Sequence, residues 1–421
     1  MGLFESAYTS GGDENLYDFL IVGAGIVGLS VGMHLLKEVP HAKLAIVEKE
    51  PEICRHQTGH NSGVIHSGIY YTPGSFKARF ARIGSERLIA FCKEKDIPYE
   101  QCGKLIVAVD EKELPWLENL YQRGLTNGLK IRMVDADEIH EIEPFVQGIS
   151  GIYVPETGIV DFKRVAAVYA EEITAKNGEI LTATQVQNVH TTKDFIELET
   201  NRGMYRAKYM INCAGLFSDK IAKLTGLKTD MIIVPFRGEY YELKEEKRYL
   251  VKNLVYPVPN PELPFLGVHF TRMIDGHVHI GPNAVLGFRR EAYKKTDINI
   301  KELAETLSFK GFWKMAQTYM GKGVKEMVRS FSRKAFLKNV QKYFPQIEAS
   351  DLTPSSAGVR AQALTKEGQL FDDFYILEAE RSFHIGNAPS PAATASLEIG
   401  SYIAHLVKNK IHTIGKEDVH V

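Results

Sequence analysis

From Tyr17 onward, short unbroken apolar runs alternate with stretches of helical period. Phe19, Leu20, Ile21 and Val22 form a run suited to a parallel strand buried on both faces. Residues 26–37 then read as a helix, and Leu44–Val47 as a second buried strand. Helical period returns over Ser75–Lys95, Leu114–Asn127 and Phe162–Lys176, where Val165, Ala166, Tyr169 and Ile173 fall on related faces. Strands are expected at Gly103–Val109, Glu179–Asn188, Phe195–Thr200 and Tyr209–Gly215, the last ending in small residues before a helix from about Ser218. Between Met231 and Pro345 the character changes. Aromatic and β-branched residues surround the proline-marked YPVPNPELP, and a helical stretch follows from Ile300 to Phe344.

The first strand runs into Gly23, Gly25 and Gly28, a G-x-G-x-x-G spacing. Gly23 permits a tight turn, Gly25 lets a pyrophosphate approach the backbone, and Gly28 lets the helix sit close to the sheet. Ile26 and Val27 open that helix, whose free N–H groups favour phosphate. Glu48 ends the second strand twenty residues after Gly28, placed to accept both hydroxyls of an adenosine ribose, with Lys49 beside it. The expectation is an α/β fold: a Rossmann-type dinucleotide-binding domain with an inserted α+β substrate domain on an antiparallel or mixed sheet. Residues 17–90, 150–230 and 346–407 are assigned to the first and 91–149 with 231–345 to the second. Residues 1–16 read as a leader and 408–421 as a tail.

Composition narrows this. A 421-residue chain can bury more than one core. Its net charge of -1, with 24% charged residues, gives no bulk attraction to nucleic acid. Cys54, Cys92, Cys102 and Cys213 are scattered without a C-x-x-C pair, which fits a reduced, cytoplasmic setting.

Candidate chemistry lies in three polar segments. The first, Thr58-Gly-His-Asn-Ser-Gly63, has glycines for close backbone approach, and His60, Asn61 and Ser62 can hydrogen-bond a polar ring system. His66 follows as an acid/base candidate, with a structural histidine or a covalent flavin attachment as alternatives. The second holds Arg237 and Tyr240, then His269 and Arg272. An inward arginine would grip a carboxylate with two parallel hydrogen bonds, whereas an outward one would form an ion pair. Strand alternation keeps His269 through Arg272 from all meeting one ligand. His277 and His279 share a face but lack acidic or cysteine partners at metal-site spacing, so no metal is expected. The third runs from Gly358 and Arg360 to Asn387, Pro389, Ser390 and Ala392, where a helix starting near Ser390 would favour negative charge on a cofactor.

The segments HQTGHNSGVIHSGIYYTPGS, VPETGIVD, PFRGEYY, PFLGVHFTRMIDG, GPNAV, AGVRAQ and NAPSPAAT together resemble the L-2-hydroxyglutarate oxidase/dehydrogenase family of D-amino-acid-oxidase-like flavoproteins. The resemblance covers residues 17–407 and implies FAD as cofactor and oxidation of a small 2-hydroxy acid, L-2-hydroxyglutarate, to 2-oxoglutarate. It implies adenine contact at Val186, pyrophosphate neighbours at Ala214 and Gly215, and a carboxylate-binding role for Arg360. On this reading His66 takes the hydroxyl proton as a hydride passes from C2 to flavin N5. Arg360 holds the C1 carboxylate, and Arg237 or Arg272 reaches the distal one. Oxygen or a membrane quinone would accept the electrons. Amino-acid or amine oxidation, or a glycerol-3-phosphate-like substrate, are the enzymatic alternatives. Lys322–Lys342 carries seven Lys or Arg against one Glu, interleaved with apolar residues, as in a helix that lies on the inner face of a membrane or packs on the substrate domain.

Overall fold

The computed structural model describes residues 16–261, 266–319 and 332–417. Its first sheet runs in the order Val186–Thr191, Ile196–Thr200, Gly203–Asn212, Leu16–Val22, Leu44–Val47, Glu179–Leu181. Ser382–Asn387 pairs parallel to Gly203–Asn212 and carries Tyr375–Glu378 on its outer edge. The central pairings of Leu16–Val22 are parallel on both sides. Its unbroken apolar run follows from this position. Phe19 and Ile21 enter one core with Leu29, Val165 and Tyr169, while Leu20 and Val22 enter another with Val47 and Met210. Each such side chain contributes about 1.5–3 kcal/mol by leaving water.

The helices Ile26–Glu38, Phe76–Glu94, Phe162–Ala175 and Ser396–Glu417 supply the first of those cores. Local signals set their starts. Ser75 caps Phe76–Glu94 by accepting from the Ala78 N–H, and Asp161 caps Phe162–Ala175 by accepting from that of Lys163.

The second sheet runs Val285–Leu286, Met231–Leu243, Val278–Gly281, His269–Arg272, Leu254–Pro257, Lys104–Ala108, Ser150–Val154, Arg132–Asp135. It is mixed: Leu254–Pro257 is parallel to Lys104–Ala108, whereas Lys104–Ala108 is antiparallel to Ser150–Val154. Leu352–Thr365 pairs antiparallel with Met231–Leu243 along nearly its full length. Three short strands, Val64–Ile65, Gly158–Val160 and Tyr99–Glu100, form a separate sheet.

Several elements differ from the sequence expectation. Ser150–Val154 and Leu352–Thr365 belong to the second sheet, although the sequence reading grouped both with the first domain. The segment Glu179–Asn188 divides. Its first part pairs with Leu44–Val47 at one edge, and its second pairs with Ile196–Thr200 at the other. The polar crossing between them is held by Ala183 and Thr184 N–H groups donating to the Glu50 and Glu48 carbonyls. The turn after Asn387 continues to Ala395, so the helix begins at Ser396 and not near Ser390. That helix also runs through position 408, where a tail was expected. Most of the proposed leader, residues 1–15, lies outside the described residues, as does 322–331 of the basic segment. In its described part, helix Arg333–Val340 buries Phe336 and Val340 against the second sheet. Among the described residues, no helix is long and apolar enough to cross a membrane.

Helices Ile26–Glu38 and Ser396–Glu417 cross at Gly400, where a Cβ would stand 2.3 Å from Ser30 Oγ and 2.7 Å from its carbonyl carbon. Gly400→Ala should therefore cost about 1–3 kcal/mol. Urea denaturation should show a lower midpoint with little change in slope; an unchanged midpoint would mean that the helices separate freely.

Candidate active site

The dinucleotide end is built from backbone. Gly23 has φ +105°, and a Cβ there would lie 2.7 Å from the Cys213 carbonyl oxygen. A Cβ on Gly28 would meet the Gly23 carbonyl oxygen at 2.0 Å. Glycine is therefore required at both positions by the turn and by the helix lying against it. Gly25, at the helix N-cap, offers no side chain; Thr58 instead reaches from the next loop to accept from the Ile26 N–H at 3.0 Å. Glu48 is buried and accepts N–H groups from Ala24 at 2.8 Å and Glu50 at 3.0 Å, which fixes its carboxylate at the strand end. Val186, Ala214 and Gly215 line the same cavity, as do Val27 and Lys49.

Lys49 is committed elsewhere. Its ammonium lies 2.5 Å from a Glu50 oxygen and 2.6 Å from one of Glu291. His56 joins at 2.9 Å from both carboxylates. Burial alone would raise the Glu291 carboxyl, but the neighbouring His56 and Lys49 cations outweigh it and hold the group down at about 2. Glu50, His56 and Glu291 are close enough to share one metal ion, yet the Lys49 ammonium already supplies a cation there. This ion cluster joins the first domain to residue 291 of the second. His277 and His279 both lie beside Glu242, at 2.5 and 4.0 Å.

The cavity continues past the 57–63 loop. Asn61 turns inward on that loop, donating to the Thr58 carbonyl and accepting from the Gly63 N–H, both within 2.8 Å. His60 Nδ1 bonds the His56 carbonyl and its ring packs 4.3 Å from Tyr293. These side chains therefore shape the loop, and with Ser62 they also line the cavity. On the other side stand Gly358, whose strand packs against the His60 carbonyl, and Asn387, Pro389, Ser390 and Ala392. Asn387 donates to the Phe371 and Asp373 carbonyls, and its own Oδ1 is buried without a partner among the described residues.

His66, Tyr240, His269 and Arg360 share the far wall. His66 is anchored through its N–H to Thr394 Oγ1, which donates in turn to the Val64 carbonyl. His269 is 6% exposed and stacks on Tyr256 with centroids 4.1 Å apart. Its Nδ1 lies 3.0 Å from the Gly267 carbonyl, which can only accept, so Nδ1 carries the proton and Nε2 keeps its lone pair. Both imidazoles are held down to about 3, first by burial and then by cations: Lys104 foremost at His66, Arg360 and Lys104 at His269.

Two predicted arginines do not join them. Arg272 follows His269 by three residues and so leaves the strand on the opposite face, where it binds Glu100 and the Lys252 carbonyl. Arg237 pairs in register with Val359 while Arg360 pairs with Phe236, so these two arginines also leave their ribbon on opposite faces. Arg237 is bonded to the Lys294 carbonyl and Glu239, each at 3.0 Å. Sequence reasoning also passed over Lys104, Tyr70 and Tyr256. Lys104 is 1% exposed, and its ammonium sits 4.5 and 5.1 Å from the two tyrosine rings. The available signal was a lysine opening the apolar run LIVA of a predicted strand.

A glycine-turn dinucleotide cradle, continuous with a chamber walled by a guanidinium and two neutral imidazoles, defines a flavin-type oxidoreductase. Residues 18–406 match the model of the FAD dependent oxidoreductase family, DAO. The L-2-hydroxyglutarate dehydrogenase of Indibacter alkaliphilus is 49% identical over 389 residues, covering 92% of this chain and 98% of that protein. Its namesake in Escherichia coli strain K12 is 44% identical over 394 residues, covering 93% of each. In fold, the chain is similar to L-α-glycerophosphate oxidase from Mycoplasma pneumoniae solved with FAD bound, at TM-score 0.76 and 23% identity, covering 93% of this chain and 95% of that one. The chain belongs to the DAO family of FAD-dependent oxidoreductases and, within it, to the L-2-hydroxyglutarate dehydrogenases.

FAD fits the residues present. The cavity of about 1140 Å³ exceeds the roughly 300–1,000 Å³ range of small-ligand sites, as a dinucleotide plus substrate requires. Its lining includes the Gly25 helix N-cap, which carries no side chain, and Asn387, whose Oδ1 has no partner among the described residues.

The neutral histidines have a consequence for stability. Unfolded, each titrates near 6.5; folded, each resists protonation until about 3. The unfolded chain thus binds more protons throughout that interval, and stability falls as pH drops below about 6.5. The urea midpoint should decrease from pH 7 to pH 5, and the decrease should shrink in a His66→Gln/His269→Gln variant. An equal pH dependence in both proteins would contradict their neutral burial.

Proposed function

We propose that the chain oxidises L-2-hydroxyglutarate to 2-oxoglutarate, with oxygen or a membrane quinone as final electron acceptor. The observation that carries this reading is the likeness to L-2-hydroxyglutarate dehydrogenases over more than nine-tenths of the chain. The chemistry of the far wall supports it. FAD, when bound, supplies the hydride acceptor. Arg360 holds the C1 carboxylate, fixing C2 and its hydroxyl in the chamber between His66 and His269. His66 takes the hydroxyl proton; it is neutral and therefore has a lone pair to receive it. An arriving carboxylate offsets the cations that depress the imidazoles, so basicity rises as substrate binds. His269, its Nδ1–H tied to Gly267, orients a second lone pair toward the same chamber wall and holds Tyr256 by stacking.

Anaerobic mixing should bleach the flavin with L-2-hydroxyglutarate and yield 2-oxoglutarate, while the D enantiomer, glycine, D-alanine and glycerol 3-phosphate leave it yellow. Bleaching by one of those others instead would replace the substrate assignment. Arg360→Ala should lower kcat/KM by at least about 100-fold, as for loss of a buried charged contact, while the protein stays yellow. In stopped flow, His66→Ala should slow flavin reduction by about 100-fold or more. An unchanged rate constant there, with a slow His269→Ala variant, would move the base to His269.

A further inference from the structure

A dicarboxylate needs two anchors, and with Arg237 and Arg272 committed elsewhere the second is unassigned. Lys104 pairs in register with Leu254, and Leu254 with Thr271. Paired residues share a face and side chains alternate along each strand, so Lys104, Thr271, Tyr256 and His269 all leave the second sheet on one side. That side is the chamber wall, where Tyr70, Tyr256, His66 and His269 line the cavity. Lys104 stands one layer behind, against the Tyr70 and Tyr256 rings. Among the described residues no carboxylate pairs with its ammonium and no hydrogen bond satisfies it. The polar groups around it are equally unfulfilled. Among the described residues the Tyr70, Tyr256 and Thr271 hydroxyls are buried without a hydrogen-bond partner of good geometry.

A buried ammonium without an anion is costly, and aromatic faces offset only part of that cost. Burial pulls Lys104 down to about 7, so the amine divides between neutral and charged forms near neutral pH, and an anion delivered to the chamber draws it to the ammonium. We infer that Lys104, acting through Tyr70 and Tyr256, is the counter-charge for the distal carboxylate of the substrate and makes the site select 2-hydroxy dicarboxylates over monocarboxylates. The inference rests on the 2-hydroxy-acid reading above and assigns its second anchor. Lys104 is a positioning residue, since the tyrosine rings lie between it and the cavity. On this reading Arg360 holds one carboxylate of the diacid and Lys104 supplies the counter-charge for the other.

The test is equilibrium binding of two inert probes, glutarate and butyrate, to oxidised holoenzyme, read from the flavin absorbance change. Wild type should bind glutarate at least about 10-fold more tightly than butyrate. Lys104→Met should weaken glutarate about 30-fold, leave butyrate within about twofold, and raise KM for L-2-hydroxyglutarate more than it lowers kcat; Lys104→Arg should restore most of the preference. Equal weakening of both probes would make Lys104 merely structural. Unchanged glutarate binding would also overturn the inference. If Lys104→Met does not fold, a wild type that binds the probes equally well refutes it without the variant. Failure of L-2-hydroxyglutarate to bleach wild-type flavin defeats the parent reading separately, because probe binding does not depend on turnover.

Discussion

Close backbone contact at the end of the central parallel strand governs the rest of this molecule. Only glycine at positions 23 and 28 lets the chain turn beneath Cys213 and lets the next helix lie on the strand end. Once that turn forms, Glu48 is bound to the Ala24 N–H, Thr58 is drawn to the Ile26 N–H, and the 57–63 loop is carried to the cavity. The loop then leads to His66, whose backbone N–H is tied to Thr394, 328 residues later in the chain. A steric requirement at one turn thus propagates, by hydrogen bonds, to the reacting end of the site.

The second sheet supplies the opposing wall, and its pleat decides the chemistry. Strand alternation puts His269 and Thr271 toward the chamber and sends Arg272 to Glu100. The same rule separates Arg360 from Arg237 across their ribbon. The chamber consequently gathers positive charge around imidazoles that burial keeps neutral, an arrangement that favours anionic substrates and proton acceptance together. A buried bidentate pair, Arg290 with Asp219, and the Lys49–Glu291 contact fasten residues 290 and 291 to the segments that carry the first sheet.

Much of this was legible in the residues. The apolar run at 19–22, the glycine spacing and Glu48 are local signals for a buried strand, a tight turn and a strand-end carboxylate, and all are present as expected. The 390s were misread because small residues after Pro391 suit a helix, but Ala392 and Ala395 bond back to Pro389 and Pro391 in successive turns and the helix waits until Ser396. Glu179–Asn188 was misread because β-branched residues, Ile180, Thr182, Thr184 and Val186, recur at strand spacing straight through the crossing. Only tertiary pairing divides it between opposite sheet edges.

The sequence by itself determined the dinucleotide fold and the family, since both rest on residue type at fixed local spacing. Which cations face the substrate was decided by the tertiary structure, because strand register and sheet pairing set the face on which each side chain leaves. Arg237, Arg272 and Lys104 all read as candidate cations in the sequence. The fold commits the first two to neighbours and leaves the third buried behind the wall of the chamber.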